Sequence, residues 1–182
     1  MTDIRGLSLG ELEERLTQWG QPRYRAGQLF DWLHKKGADA FAEMKNLPAA
    51  LREQLAGECF IATAAVERKL VSQLDGTVKY LFRLRDGEMV EGVVMRYKHG
   101  LSICLSTQVG CKMGCSFCAS TLAGFVRSLT AGEMLAQIYT ASRDLGERIG
   151  NVVLMGIGEP LDNFDTVLRF LELVNHPDGL NI

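Results

Sequence analysis

The sequence has no long apolar run and few prolines. Its longest uncharged stretch, residues 113–126, is interrupted by Gly, Ser and Thr, so it is too short and too polar to span a bilayer. Residues 1–5 lack the apolar core of a signal peptide, which predicts a cytoplasmic protein. A composition of 47% hydrophobic and 23% charged residues with only 4 prolines excludes a disordered or collagen-like chain. The length of 182 residues allows one ordinary domain or two small ones.

The sequence also lacks a strong excess of charge of either sign. Lys and Arg number 20 and Asp and Glu number 22, so the formal net charge is −2. Charge alone therefore does not indicate a nucleic-acid partner. Arg23, Arg25, Lys35 and Lys36 form one modest basic surface, which could contact RNA phosphates or could simply be the solvated face of a helix.

The first hundred residues change from a helical to a strand pattern. Residues 1–60 predict a small helical accessory domain with helices over 8–20, from Pro22 to Gly37, and over 48–56; Ser8 and Glu11 are spaced as a capping box. Residues 61–100 predict an antiparallel meander with strands over 66–74, 78–84 and 89–97. Asp-Gly pairs between these strands are typical of hairpin turns.

Residues 101–182 alternate strands with helices. Strands are predicted over 101–107 and 151–155, and helices from a capping box at Thr130 and over 164–174. Alternating apolar strands and helices predict parallel βα units, so the fold class is α/β. Two such units cannot close a barrel, and we therefore expect this sequence to be the front part of a longer protein.

Three of the five cysteines lie within eight residues. Cys111, Cys115 and Cys118 have the spacing C-x3-C-x2-C, and an odd total that includes Cys59 and Cys104 is a poor disulfide framework. Three thiolates can hold three corners of a [4Fe–4S] cluster and leave the fourth iron without a protein ligand. The alternative is a structural zinc site that adds Cys104, in an RNA-binding module; this spacing is unlike the paired C-x2-C knuckles of zinc ribbons.

The wider context of the cysteines resembles a known family. The triad, with aromatic Phe117 before its third cysteine, resembles the radical S-adenosylmethionine (SAM) superfamily. The segments 106–111 (STQVGC), 124–127 (GFVR) and 153–160 (VLMGIGEP) together resemble the RlmN/Cfr RNA adenine methyltransferases, over essentially the whole chain. This resemblance implies a partial radical-SAM (βα) barrel preceded by a small helical domain and an antiparallel β meander.

The resemblance also implies cofactors and their ligands. The three clustered cysteines would hold a [4Fe–4S] cluster, whose open iron binds SAM. Gly158 and Glu159 would match the family's segment for the SAM amino group, although a glutamate after a strand is otherwise more often a helix cap. Gly156 and Gly158 alone could suggest a dinucleotide loop, but Leu161 stands where the third glycine should be.

Two further residues acquire catalytic roles from the resemblance. Glu91 matches the glutamate that accepts the proton from the adenine adduct, and Cys104 matches the cysteine that resolves the covalent enzyme–RNA intermediate through a disulfide. The residues themselves leave other interpretations open. By pattern alone, Glu91 is a solvent-facing strand position and Cys104 is a buried strand cysteine.

The implied activity is methylation of carbon 2 of adenosine in 23S ribosomal RNA and transfer RNA. A Cfr-type enzyme that methylates carbon 8 is the alternative within the family. A monomer served by an electron donor such as flavodoxin or ferredoxin is expected, with no membrane partner. The family carries its methyl group on a cysteine near the C-terminus, and no cysteine follows Cys118, so we expect these residues alone to be unable to complete the reaction.

Overall fold

The computed structural model describes residues 1–182 as five α-helices and nine β-strands joined by short helical turns. The helices are α1 (Leu9–Gln18), α2 (Tyr24–Phe30), α3 (Ala49–Glu58), α4 (Ala131–Leu145) and α5 (Phe164–Val174). The strands are β1 (Thr2–Asp3), β2 (Cys59–Phe60), β3 (Ala64–Val71), β4 (Val78–Leu84), β5 (Met89–Tyr97), β6 (Gly100–Cys104), β7 (Gln108–Gly110), β8 (Phe125–Ser128) and β9 (Ile149–Val153).

The helical N-terminal region contains the three predicted helices. The capping box of Ser8 and Glu11 is formed: the Ser8 hydroxyl accepts from the Glu11 N–H, and the Glu11 carboxylate accepts from the Ser8 N–H. Helix α2 continues into a π-helical turn, Asp31–Lys35, before Gly37 with φ +64° ends it. The sequence did not predict the short parallel pairing of β1 with β2, which joins the two ends of this region.

The meander and the βα units share one five-stranded sheet in the order β3-β4-β5-β6-β9. The neighbours from β3 to β6 are antiparallel, whereas β6 and β9 are parallel, and β9 forms one edge. Strands β4 and β5 have the predicted bounds, whereas the first meander strand was predicted too late. It begins at Ala64 and ends at Val71, because Ser72 donates its N–H to Thr77 and begins the turn.

Two predicted barrel strands were also wrong at their ends. The strand predicted over 101–107 ends at Cys104, because Leu105 to Thr107 turn towards the loop that follows β9. The strand predicted over 151–155 is shifted two residues towards the N-terminus, to Ile149–Val153. Main-chain groups of Leu105 and Thr107 instead bond to Val153, Gly156 and Ile157, so that the two carboxyl ends lie side by side.

The two faces of the five-stranded sheet differ in how deeply they are buried. Helix α4 packs against α5 and β3, and its apolar residues join those of the strands in one buried core. Strand alternation places Val90, Val94 and Ile103 in this core. The opposite face of β5, β6 and β9 is only partly buried. No helix of the protein is both long enough and apolar enough to cross a membrane.

Candidate active site

The clustered cysteines lie in a loop held closed by the β7–β8 hairpin. The Cys111 N–H donates to the Gly124 carbonyl at 3.0 Å, which closes the base of the loop. Gly110 there has φ +71°, and a Cβ atom at this position would lie 1.8 Å from the Gly124 oxygen, so only glycine fits. Within the loop, the Cys118 N–H donates to the Cys115 carbonyl at 3.0 Å and forms a tight turn.

The three thiols share this loop, but their sulfur atoms do not converge on one point. Cys111 is buried, Cys118 is half-buried and Cys115 is exposed, and no group of three or more potential ligands surrounds a metal position. Hydrogen bonds from the Ser120 hydroxyl and N–H lower the pKa of Cys118. Three soft thiol donors on one accessible loop have the chemistry that an iron–sulfur cluster requires, so the donor set fits the predicted cofactor.

All five cysteines are free in the structure. The disulfide implied by the family resemblance is therefore not supported within this chain. Cys59 lies in β2 and Cys104 in β6, each on an element other than the cysteine loop. Phe117, the aromatic residue before the third cysteine, is 92% exposed beside them.

Glu91 and Cys104 lie on the partly buried face of the sheet. Cys104 is paired with Val93 of β5, and Glu91 precedes Val93 by two positions, so the three side chains share that face. Burial raises the pKa of the Cys104 thiol, and a hydrogen bond from the Met155 main chain opposes this shift. The Glu91 carboxylate is 43% exposed and lies 2.9 Å from Lys79 Nζ.

A cavity of about 440 Å³ separates the β4–β5 turn from the cysteine loop. Its lining includes Glu91 on one side, Gly110 and Ser120 on the loop side, and Ile157 from the segment after β9. Its volume is in the range of sites for small ligands. The structure thus brings Glu91 and the cysteine loop to one cavity, at the carboxyl ends of the parallel strands, where barrel enzymes build their sites.

The segment after β9 packs tightly against the residues before the cysteine loop. A Cβ atom on Gly156 would lie 2.6 Å from the Leu105 main chain. Gly158 has φ +104°, and a Cβ atom there would lie 2.6 Å from Gln108 Cβ. The Glu159 carboxylate accepts from the Leu161 N–H at 3.0 Å and caps the helical turn Pro160–Asn163. The sequence left open whether Glu159 caps a helix or contacts a cofactor. In the structure it makes the capping contact.

Sequence reasoning missed a set of buried polar contacts around this segment. The Ser106 hydroxyl donates to the Glu91 carbonyl at 2.7 Å and accepts from the Ile157 N–H at 2.9 Å. The Gln137 side chain from α4 bonds both main-chain groups of Ser106. Ser106 thus joins the strand of Glu91 to the segment after β9. In the sequence, Ser106 lay within the strand predicted over 101–107 and began the segment STQVGC, but nothing there assigned it these contacts.

The basic residues considered from the sequence are mostly paired with neighbours. Arg23 contacts Glu13, and Lys36 contacts Asp31 at 2.7 Å. Arg127 forms ion pairs with both Asp86 and Glu133, which raise its pKa and join β8 to the β4–β5 turn and to α4.

Comparisons with known proteins agree with this geometry. Residues 2–61 match the family described as "Ribosomal RNA large subunit methyltransferase N-terminal domain". The chain is 54% identical over 180 residues to a probable dual-specificity RNA methyltransferase RlmN of Alkaliphilus oremlandii, covering 99% of this chain and 52% of the relative. A namesake from Clostridium perfringens is 53% identical over 182 residues, covering 100% of this chain and 52% of the relative.

A solved structure extends the agreement to the fold. The crystal structure of a radical SAM methyltransferase from Sphaerobacter thermophilus matches with a TM-score of 0.91 and 40% identity, covering 100% of this chain and 54% of that one. The chain therefore has the fold of the matched half of a radical SAM methyltransferase structure, and the expected partial barrel is confirmed. Over almost its whole length the chain is similar to members of the RlmN family, and its residues 2–61 match that family's N-terminal domain. It spans about half the length of the relatives that it matches.

Proposed function

We propose that the protein is an RNA methyltransferase that uses SAM and a radical mechanism to methylate carbon 2 of adenosine in 23S ribosomal RNA and in transfer RNA. The observation that carries this proposal is the cavity that Glu91 shares with the cysteine loop. A base and the loop that carries the three thiol ligands line one opening, which fits a reaction that must both generate a radical and remove a proton. The relatives are named RlmN, and carbon 2 rather than carbon 8 is the position that the resemblance to RlmN implies.

Cys111, Cys115 and Cys118 hold the [4Fe–4S] cluster in this proposal, and Gly158 with Glu159 contacts SAM. When bound, the two cofactors would supply the radical chemistry by which a methyl group can add to an unreactive aromatic carbon. The protein itself positions the two cofactors relative to each other. The loops after β6 and β9 are bonded to each other, so the cluster ligands and the SAM segment stand on one rigid edge.

Glu91 accepts the proton from the methylated adenine, and its carboxylate lies 2.9 Å from Lys79 Nζ. Cys104, on the same face of the neighbouring strand, provides the thiolate that releases the RNA. Burial keeps Cys104 in the thiol form at rest.

The remaining assignments follow from the same proposal. Residues 1–60 act as an accessory domain that contacts RNA, residues 61–100 lead into the barrel, and residues 101–182 supply its first βα units. The enzyme works as a cytoplasmic monomer and receives electrons from a flavodoxin or a ferredoxin. The basic surface of Arg23, Arg25, Lys35 and Lys36 supplies the RNA contacts, once Arg23 leaves Glu13 and Lys36 leaves Asp31.

Anaerobic reconstitution tests the proposal. We expect about four irons per chain and an EPR signal that changes on addition of SAM. Cys115→Ala should lose the cluster, whereas Cys59→Ala, a buried cysteine on β2, should retain it. Stable zinc without iron would instead support the structural module. Transfer of labelled methyl groups to a ribosomal RNA fragment, with mapping of the product carbon, then distinguishes carbon 2 from carbon 8.

A further inference from the structure

Gln108 belongs to the sequence stretch before the first cluster ligand, but it has no role in the site described so far. Its side chain is completely buried between the β7–β8 hairpin and the segment after β9. Gln108 Oε1 accepts from the Glu159 N–H at 3.0 Å, and Gln108 Nε2 donates to Asp162 Oδ2 at 2.8 Å and to Ser128 Oγ at 3.3 Å. Every polar atom of the amide therefore has a partner.

The partners also fix the orientation of the amide. A main-chain N–H can only donate and a carboxylate can only accept, so the oxygen of Gln108 must face Glu159 and its nitrogen must face Asp162. Leucine at this position would lose both contacts. Glutamate would keep the contact with Glu159 and would place a second carboxylate against Asp162.

Asp162 continues the chain of contacts to the cysteine loop. Its second oxygen, Oδ1, lies 2.9 Å from Lys112 Nζ, and Lys112 directly follows Cys111. One continuous series of polar contacts therefore runs from the Glu159 main chain through Gln108 and Asp162 to the first residue after a cluster ligand.

The packing around Gln108 leaves this series little freedom to shift. Gly158 would place a Cβ atom 2.6 Å from Gln108 Cβ and 2.8 Å from its main-chain nitrogen, so the segment after β9 lies directly on the Gln108 side chain. The Gln108 N–H also points to the Ile157 carbonyl, at 3.2 Å. Gln108 thus holds the segment by main-chain contact, by steric contact and by its amide.

We propose that Gln108 is a positioning residue that sets the distance between the cysteine loop and the Gly158–Glu159 segment, through its bonds to Glu159 and Asp162. This inference rests on the proposed function, since it assumes that the segment binds SAM beside the cluster. Gln108 touches neither the reacting atoms nor the cluster ligands in this role. Its effect passes through Glu159 on one side and Lys112 on the other.

Hydrogen–deuterium exchange provides a test that needs neither cluster nor RNA. Gln108→Leu should increase exchange in residues 157–162 and 111–118 together by about tenfold, the effect of losing one or two hydrogen bonds. Gln108→Glu should leave the Glu159 amide protected while it releases the cysteine loop. Lys112→Met, at a half-exposed position, should increase exchange in the cysteine loop alone by roughly threefold, as expected for an exposed ion pair.

The matched control is Leu12→Val, a core change in α1 with no contact to this series. In the reconstituted enzyme, Gln108→Leu should also weaken SAM binding by about tenfold, measured by equilibrium dialysis. The inference would be overturned if the Gln108 and Lys112 variants showed the same exchange pattern as Leu12→Val. It would also be overturned if Gln108→Leu bound SAM with unchanged affinity. Wild-type protein that holds no iron and binds no SAM would instead refute the proposed function, and the exchange result would stand independently.

Discussion

Acidification should destabilise the protein through one buried histidine. His34 is completely buried, its Nε2 atom has no hydrogen-bond partner, and its Nδ1 atom lies 3.1 Å from the Tyr139 hydroxyl. Burial, together with the positive charges of Arg5 and His176, lowers the pKa of His34 from 6.5 to about 3. The folded protein therefore holds His34 neutral under conditions in which the unfolded chain binds a proton.

The sign and size of the effect follow from this difference in proton binding. Because the pKa is lower in the folded state, the stability contribution is complete above pH 6.5 and is lost as the pH falls towards about 3. Each pH unit below the unfolded pKa costs about 1.4 kcal/mol. Between about pH 7 and pH 5 the loss from this one residue is therefore about 2 kcal/mol.

Urea denaturation of the wild type and of His34→Gln at the two pH values measures this contribution. Glutamine can still bond to Tyr139 but does not titrate, so the variant should lose about 2 kcal/mol less than the wild type on acidification. His99→Gln, at an exposed position, is the control and should behave as the wild type. Equal losses in His34→Gln and the wild type would show that other groups cause the acid sensitivity and would refute the reasoning.

Two further substitutions test the packing around the site and beneath it. Gly156→Ala should cost about 2 kcal/mol in thermal denaturation, because its Cβ atom would press on the Leu105 main chain, whereas Gly150→Ala meets open space and should change stability by less than about 0.5 kcal/mol. Equal effects of the two would contradict the close approach seen at Gly156. Arg5→Met should cost about 3 kcal/mol, since the guanidinium is fully buried and bonds two main-chain carbonyls and Asp39; a neutral result would mean that these groups find water instead.

Local signals in the sequence were sufficient for most elements of the fold. The capping box at Thr130 and Glu133 is formed at the start of α4, and the hairpin between β4 and β5 turns where the second Asp-Gly pair predicted it. Both signals act between residues a few positions apart, so no knowledge of the rest of the chain is needed to interpret them. The family resemblance added the one long-range fact that local patterns lack, the arrangement of the strands in a partial barrel.

The errors in the predicted fold come instead from contacts between residues that are far apart in the sequence. The strand expected to continue through Thr107 ends at Cys104, because the next residues bond to the loop after β9, which lies about fifty positions further along the chain. Arg5 gave no signal of burial, since its carbonyl partners come from Ala38 and Ala62. An apolar pattern indicates which face of a helix or strand is buried. It does not indicate which distant main-chain carbonyls need a hydrogen-bond donor.

The chemistry and the geometry of the candidate site differ in the same way. Its chemistry could be predicted from spacing, because three thiols in one loop need no other part of the protein to be recognised as ligands. Its geometry could not, because the contacts of Ser106 and Gln108 depend on the loop after β9 lying against the loop after β6. Buried side-chain amides and hydroxyls have no periodic pattern in a sequence, and they are understood only when their partners are in place. The contacts that join the cysteine loop to the proposed SAM segment are for this reason the ones that only the structure reveals. Exchange measurements on Gln108 test the part of the proposed mechanism that sequence similarity leaves open.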